Sequence, residues 1–289
     1  MKKVGFIGLG VMGGPMAGHL VNKGYDVIVY NRTLNKAKLW TQTYNGKFAE
    51  SPKEVAANSE VIFTCVGNDD DVLSVVKGEE GILSGITSDC ILVDHTTASA
   101  NLARKLYKEF HSQGLGFIDA PVSGGQAGAE NGLLSIMCGG DEKDYVRVLP
   151  ILKSYGKKIS LIGKSGSGQL AKMVNQICIA GLVQALSEGT GDFINGCRLV
   201  YPRSKVAMPY LNTFANRFFA AIFSWLLRQR IKDTLCGTKV LWNSDYQLIK
   251  KGRSYFGNFD PFGDFDLLFG ASKLNLKIQQ KLMKHLSKK

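Results

Sequence analysis

The segment Gly8-Leu9-Gly10-Val11-Met12-Gly13 constrains this chain more than any other six residues. It reads G-x-G-x-x-G. A short β-rich apolar run, Lys3 to Gly8, precedes it, and helical spacing through Met16, Leu20 and Val21 follows. In that setting the first glycine permits a tight turn and the second lets the backbone approach a pyrophosphate. The third lets the helix pack closely on the strand. The helix N-terminus then turns free N–H groups and a positive dipole end toward the phosphates. The spacing therefore predicts a dinucleotide site built on Gly8, Leu9, Gly10, Val11, Met12 and Gly13. The same glycines interrupt the apolar stretch after Met1-Lys2-Lys3, so that stretch reads as a strand entering a turn rather than as a signal peptide.

Strand and helix patterns alternate as far as Ile162. Strands are expected at Tyr25–Tyr30, Glu60–Val66, Ile91–Asp94, Gly116–Asp119, Leu133–Cys138 and Lys158–Ile162. Helices are expected at Asn35–Tyr44, Ser99–Gln113 and Glu142–Tyr155. Apolar strands between amphipathic helices predict an α/β fold, a doubly wound and mostly parallel sheet covered on both faces. One long helix-compatible segment follows, Gln169 to Leu186, and beyond Thr190 aromatic-rich stretches show no clear alternation. The expected organisation is a dinucleotide-binding domain over 1–164, an interdomain helix over 165–190, and an atypical, mainly helical or irregular segment over 191–289.

Composition sharpens that last boundary. The chain carries 36 Lys+Arg against 24 Asp+Glu. Residues 1–190 hold 19 basic and 18 acidic side chains, while residues 191–289 hold 17 and 6. Ten of the 15 phenylalanines also fall after residue 190. The net charge of +12 therefore belongs to the last 99 residues and marks a junction; it is no sign of a nucleic-acid partner. A hydrophobic content of 45% excludes a disordered chain. The six scattered cysteines, without C-x-x-C pairs or metal spacing, read as reduced thiols of a cytoplasmic protein. The longest late apolar run, Phe218 to Leu227, is too short to span a bilayer, and no membrane span is expected.

The end of the second strand reads Tyr30-Asn31-Arg32-Thr33, with no carboxylate for a ribose 2′-hydroxyl. A guanidinium fork and a hydroxyl suit a 2′-phosphate, so Asn31, Arg32 and Thr33 predict NADP in preference to NAD.

Three motifs now occur in order. They are Gly8 to Ala17 (GLGVMGGPMA), Asp119 to Gly125 (DAPVSGG), and Gly166-Ser167-Gly168-Gln169 running into Lys172-Met173-Val174-Asn175-Gln176. Over about residues 1–190 the chain resembles the β-hydroxyacid dehydrogenases, which include 3-hydroxyisobutyrate dehydrogenase and the semialdehyde reductases. The resemblance implies a Rossmann-type fold and reversible hydride transfer between NAD(P) and a small β-hydroxy acid or its semialdehyde. It makes Lys172 the general acid and base, with Asn175 and Gln176 near the substrate. Those three stand at i, i+3 and i+4, one face of a helix. It makes Ser123, Gly124 and Gly125 the turn that binds the substrate carboxylate. Thr96 is assigned to the nicotinamide end of the cofactor, and Val66 and Gly67 to the adenosine end. His95, isolated beside this set, reads as structural.

After Glu188-Gly189 the resemblance changes. Asp192 to Pro202, Lys232 to Lys239 and Asp260 to Asp266 resemble the C-terminal half of family-2-type glycosyltransferases similar to dolichol-phosphate mannose synthases. The dehydrogenases continue instead into a helical domain that closes the cleft and builds a dimer, so family homo-oligomerisation is not carried over. Asp260, Asp264 and Asp266 read as solvated carboxylates, and no metal is assigned. The aromatic stretch Phe214 to Leu227 in a basic tail suits either packing or a membrane surface. The leading expectation is an NADP-dependent oxidoreductase acting on a small anionic substrate. An inactive NADP-binding chimera and a membrane-associated glycosyltransferase-related protein are the alternatives.

Overall fold

The computed structural model of the chain describes residues 2–189, 191–197, 210–231, 239–251 and 264–282. They form two compact units, Met1–Val174 and Asn175–Lys289. The first unit opens with β1 (Lys3–Ile7), α1 (Gly13–Asn22), β2 (Asp26–Tyr30), α2 (Leu34–Tyr44) and β3 (Lys47–Phe48). It continues through α3 (Pro52–Ala57), β4 (Val61–Thr64), α4 (Asp69–Val76), α5 (Ile82–Gly85), β5 (Ile91–Asp94), α6 (Ala100–Ser112) and β6 (Gly116–Asp119). Then come β7 (Val122–Ser123), α7 (Gly125–Glu130), β8 (Leu134–Gly140), α8 (Glu142–Leu152), β9 (Gly156–Gly163) and the start of α9 (Ser167–Ser187).

The sheet order is β3-β2-β1-β4-β5-β6-β8-β7, with β9 also on β8. From β3 to β6 every pair is parallel. β8 runs antiparallel to both β6 and β7, and β9 parallel to β8. The expected mostly parallel, doubly wound sheet is thus present, with an antiparallel turn-back after β6. Successive strand residues point to opposite faces. Phe6, Val61, Phe63 and Val93 enter one core with Met16, Leu20 and Trp40. Ile7, Ile62 and Leu92 enter the other with Val55, Leu106 and Phe110. Both faces are buried, which is why these strands are apolar without alternation.

Short helices escape a periodicity reading, and α3 shows what holds one. Ser51 caps it by accepting the Glu54 N–H (3.2 Å), and Glu54 returns an oxygen to the Glu50 N–H (2.8 Å). Pro52 occupies the first helical position, where no N–H is needed.

The second unit takes the last turns of α9, which pack Leu182, Ala185 and Leu186 with Ile194. It adds β10 (Phe193–Cys197), α10 (Tyr210–Leu226), β11 (Lys239–Leu241), α11 (Asn243–Lys251), α12 (Asp264–Lys273) and β12 (Ile278–Leu282). β10 is central, antiparallel to β11 and parallel to β12. The expectation of a mainly helical or irregular segment therefore needs a strand component added: the described residues include this three-stranded sheet. Its strands are three to five residues long, too short to show a period. Phe193, Phe223, Leu227, Ile249, Leu268 and Ile278 form its core. Gln229 ties it together, accepting the Ile278 N–H (2.8 Å) and donating to the Leu276 carbonyl (3.0 Å). On α10, Phe218, Phe219, Trp225 and Leu226 are exposed. Arg198–Pro202, Lys232–Thr238 and Asp260–Gly263, parts of the glycosyltransferase-like motifs, lie outside the described residues.

α9, 21 residues long, is apolar enough by length and composition to cross a membrane. Its first turn is bonded to a buried carboxylate of the sheet unit, and its last turns belong to the core of the second unit.

A buried ring cluster surrounds His95. His95 stacks on Phe63 (5.5 Å) and meets Tyr155 edge-on (5.6 Å). Its Nδ1 is 2.6 Å from the Ala120 carbonyl, which can only accept, so Nδ1 carries the proton and Nε2 accepts from the Tyr155 hydroxyl (2.8 Å). This is the structural role expected of His95. Burial lowers its pKa from 6.5 to about 4. Between those values the unfolded chain takes up a proton that the folded chain refuses, so this contribution is complete above the unfolded pKa and lost as pH falls through the window. A His95→Gln variant has no such titration. Its stability deficit in urea unfolding is expected to shrink by roughly 3 kcal/mol from about pH 7 to about pH 4. A deficit that stays constant would show an imidazole titrating as if exposed.

Candidate functional site

The strand order reverses at β1, whose neighbours are β2 and β4, and ligands of such sheets bind where loops diverge at that point. A cavity of about 750 Å³ lies there, lined by Gly8, Gly10, Val11, Met12 and Gly13, by Asn31, Arg32 and Thr33, and by Val66 and Gly67. The structure thus brings ten of the predicted cofactor residues to one place. Leu9 stays off the lining with its side chain buried, and its N–H is held by Asn31 Oδ1 (3.0 Å). Asn31 also donates to the Thr33 carbonyl (3.1 Å), so its amide braces the glycine loop against the end of β2.

Gly8 has φ +98°, and a Cβ on it would collide with the Cys65 carbonyl. A Cβ on Gly13 would collide with the Gly8 carbonyl, which fixes how closely α1 sits on the turn. Gly10 faces open space. No side chain caps the start of α1, and its first turn holds no acidic residue. A close-packed turn, an open glycine and an uncapped helix start fit a dinucleotide pyrophosphate.

Beyond the end of β2, Arg32 Nη1 stands 3.2 Å from Asp71 Oδ1. Lys36, one turn into α2, and Ser74 also line the cavity. The sequence reading missed Lys36 and Asp71. Lys36 had a local signal in its spacing from Arg32, but Asp71 comes from α4 and had none. Cys65 lines the same wall, its thiol pushed up to about 12, chiefly by burial.

Thr96 contributes from beneath. Its hydroxyl accepts the Val66 N–H (3.1 Å), and its own N–H goes to Asp94 Oδ1 (3.0 Å). Burial raises Asp94 to about 6, with the Thr96 and Thr64 hydrogen bonds opposing part of that shift. Gln169, fully buried at the start of α9, donates to the Thr96 carbonyl (2.7 Å) and accepts the Ala98 N–H (3.1 Å). Asp119, at the end of β6, accepts the Gly166 N–H (2.7 Å) and the Gln169 N–H (3.0 Å). Its pKa is raised by burial against these lowering bonds. The helix can come this close because Gly139 and Gly168 lack side chains: a Cβ on either would strike Asp119. One continuous set of bonds therefore runs from the Val66 wall of the cavity to the first turn of α9.

Lys172 stands one turn further along α9. It is only 8% exposed, has no ion pair among the described residues, and burial lowers its pKa from the ordinary lysine value. Asn175 opens the second unit on the same helix, its Nδ2 buried without a hydrogen-bond partner among the described residues. Gln176 is exposed. Ser123, Gly124 and Gly125 form the β7–α7 junction, with φ +138° and +61° at the two glycines and no side-chain cap on α7. The far end of α7 docks on α1, where His19 Nε2 meets the Ala129 and Glu130 carbonyls (3.0 and 3.1 Å). Neither the Ser123–Gly125 junction nor Lys172, Asn175 and Gln176 lines the cavity.

Comparison with known proteins agrees with this geometry. Residues 3–163 match the family described as the NAD binding domain of 6-phosphogluconate dehydrogenase. An uncharacterized oxidoreductase of Shewanella frigidimarina is 57% identical over 189 residues, 65% of each chain. A probable 3-hydroxyisobutyrate dehydrogenase-like protein of Arabidopsis thaliana is 43% identical over 187 residues, 65% of this chain and 62% of that one. The match thus spans less than two thirds of the length of these relatives. Among solved structures, Psf3 in complex with NADP+ and 2-OPP is 29% identical with a TM-score of 0.58, over 64% of this chain and 68% of that one. With more than half of its length matched, the chain belongs to the family of the NAD binding domain of 6-phosphogluconate dehydrogenase.

Proposed function

We propose that this chain is an NADP-dependent oxidoreductase that interconverts a small β-hydroxy acid and its semialdehyde, with Lys172 as general acid and base. A bound nicotinamide dinucleotide supplies or accepts the hydride. The observation that carries the reading is a buried lysine without a counter-charge among the described residues, on a helix tied to the wall of the cofactor cavity. Reduction of a carbonyl leaves an alkoxide that needs a proton. The Lys172 ammonium, disfavoured by desolvation, yields that proton more readily than an exposed lysine would. In the oxidative direction the neutral amine takes the hydroxyl proton back. The unpartnered Asn175 amide supplies a donor for a substrate oxygen, and Gln176 is the second polar group of that helix face. Ser123 with the Gly124 and Gly125 N–H groups holds the substrate carboxylate. A cytoplasmic location is part of this proposal and rests on the six scattered cysteines, without C-x-x-C pairs or metal spacing.

NADP is favoured by Arg32, Thr33 and Lys36 in one cavity, and by the NADP+ complex of a relative. A dinucleotide-binding module without turnover is the second reading, because the curated matches stop short of two thirds of their partners' length.

Purified protein with NADPH and a panel of small semialdehydes separates the two. Lys172→Ala should lower turnover by about 10²–10⁴-fold with dinucleotide affinity unchanged. Cofactor binding without turnover in the parent would support the module. Because the ammonium is the acid, reduction should slow as pH rises through the Lys172 pKa, below the ordinary lysine range, while oxidation speeds up.

NADPH should bind tighter than NADH, and Arg32→Asp should reverse the order; tighter NADH binding by the parent would sink the NADP assignment. Gln169→Ala should reduce kcat more than it raises the cofactor Kd, since it releases the lysine helix from Thr96 and leaves the glycine loop intact. Equal losses in both would make Gln169 a general stabiliser.

A further inference from the structure

The end of β2 carries no carboxylate, yet the fold delivers one to the same spot. Asp71 belongs to the first turn of α4, 39 residues beyond Arg32, and its Oδ1 stands 3.2 Å from the guanidinium. Of the three acids in that turn, Asp71 alone lines the cavity. Asp69 is engaged elsewhere, accepting the Ser99 N–H (2.7 Å) and hydroxyl.

The two partners differ in freedom. Asp71 is anchored: its N–H is held by Asn68 Oδ1 (2.9 Å), and its carboxylate lies so close to the turn after β4 that a Cβ on Gly67 would strike Oδ2. The Arg32 side chain is 86% exposed and can swing. An ion pair this exposed is weak, so Arg32 leaves it readily for a phosphate dianion, which offers more charge and three acceptor oxygens. The Asp71 backbone is held by Asn68, so its negative charge stays near whatever Arg32 then holds.

We propose that Asp71 sets how far this pocket separates NADPH from NADH: it opposes the 2′-phosphate that Arg32 attracts, and accepts a hydrogen bond from the 2′-hydroxyl of NADH. The proposal rests on the dinucleotide reading above. Arg32 alone would make a strongly NADP-selective pocket; the Arg32–Asp71 pair makes one that admits both cofactors with a modest preference for NADPH.

The test is equilibrium binding of NADPH and of NADH to the full chain, followed by cofactor fluorescence, for the parent, Asp71→Asn and Asp71→Ser. Both variants keep a backbone N–H for Asn68, and a circular dichroism melt checks each for folding. Both should bind NADPH roughly three- to tenfold tighter, as expected for removing one like charge at a solvated site. NADH affinity should hold or fall, so the preference for NADPH widens. The gain should shrink in high salt, because it is electrostatic. Weaker NADPH binding in both variants would overturn the proposal by making Asp71 the residue that orients Arg32. An unchanged ratio of the two affinities would overturn it as well. A parent that binds neither dinucleotide would overturn the cofactor reading itself, a different result from binding both with a ratio that Asp71 does not move.

Discussion

Asp119 joins the sheet to the helix on which the proposed chemistry depends. Its carboxylate accepts the Gly166 and Gln169 N–H groups at the start of α9, donors that a helix N-terminus otherwise leaves unsatisfied. The bonds require backbone approach at Gly139 and Gly168, where any side chain would intrude. Gln169, oriented by that clasp, reaches Thr96, and Thr96 reaches Val66 in the wall of the cofactor cavity. Every group in this chain is buried or half-buried, where an unmade bond costs about 1–3 kcal/mol. The network therefore has few alternative arrangements, and Lys172 inherits its rigidity one turn later.

The cofactor cavity divides its work between backbone and side chains. In the proposed reading, phosphate recognition falls to the glycine turn and the uncapped start of α1, which carry no sequence-specific chemistry beyond the absence of side chains. In the proposal, discrimination between cofactors falls to Arg32, Lys36 and Asp71, charged groups that line the cavity. On that proposal, affinity is built into the fold, while selectivity rests on exchangeable side chains. Desolvation acts in opposite senses deeper in the unit: it raises Asp94 and Asp119 and lowers His95 and Lys172. In each case burial disfavours the charged form.

Much of the first unit is legible in the residues themselves. The strands from Lys3–Ile7 to Gly116–Asp119 are apolar because both sheet faces are covered, and the long helices carry a clear period. α3, α5 and α7, at four to six residues, are shorter than any periodicity can reveal, and β3 and β7 have two residues each. The same shortness hides the three strands of the second unit. Of the candidate site, the glycine loop, Arg32 and Val66–Gly67 were readable from motif and order. Lys172, Asn175 and Gln176 were readable as one helical face.

What the sequence by itself determined are the features encoded within a few residues of one another: the turn at Gly8–Gly13, the order of strands and helices, the i, i+3, i+4 set on α9 and the change of charge near residue 190. Tertiary structure alone decided which distant groups meet. Arg32 finds Asp71, Asp119 finds Gln169, and His95 settles between Phe63 and Tyr155. Backbone periodicity is a local property with a local signature. A hydrogen bond across 39 or 50 residues leaves no such signature, because its geometry exists only after the sheet has closed around it.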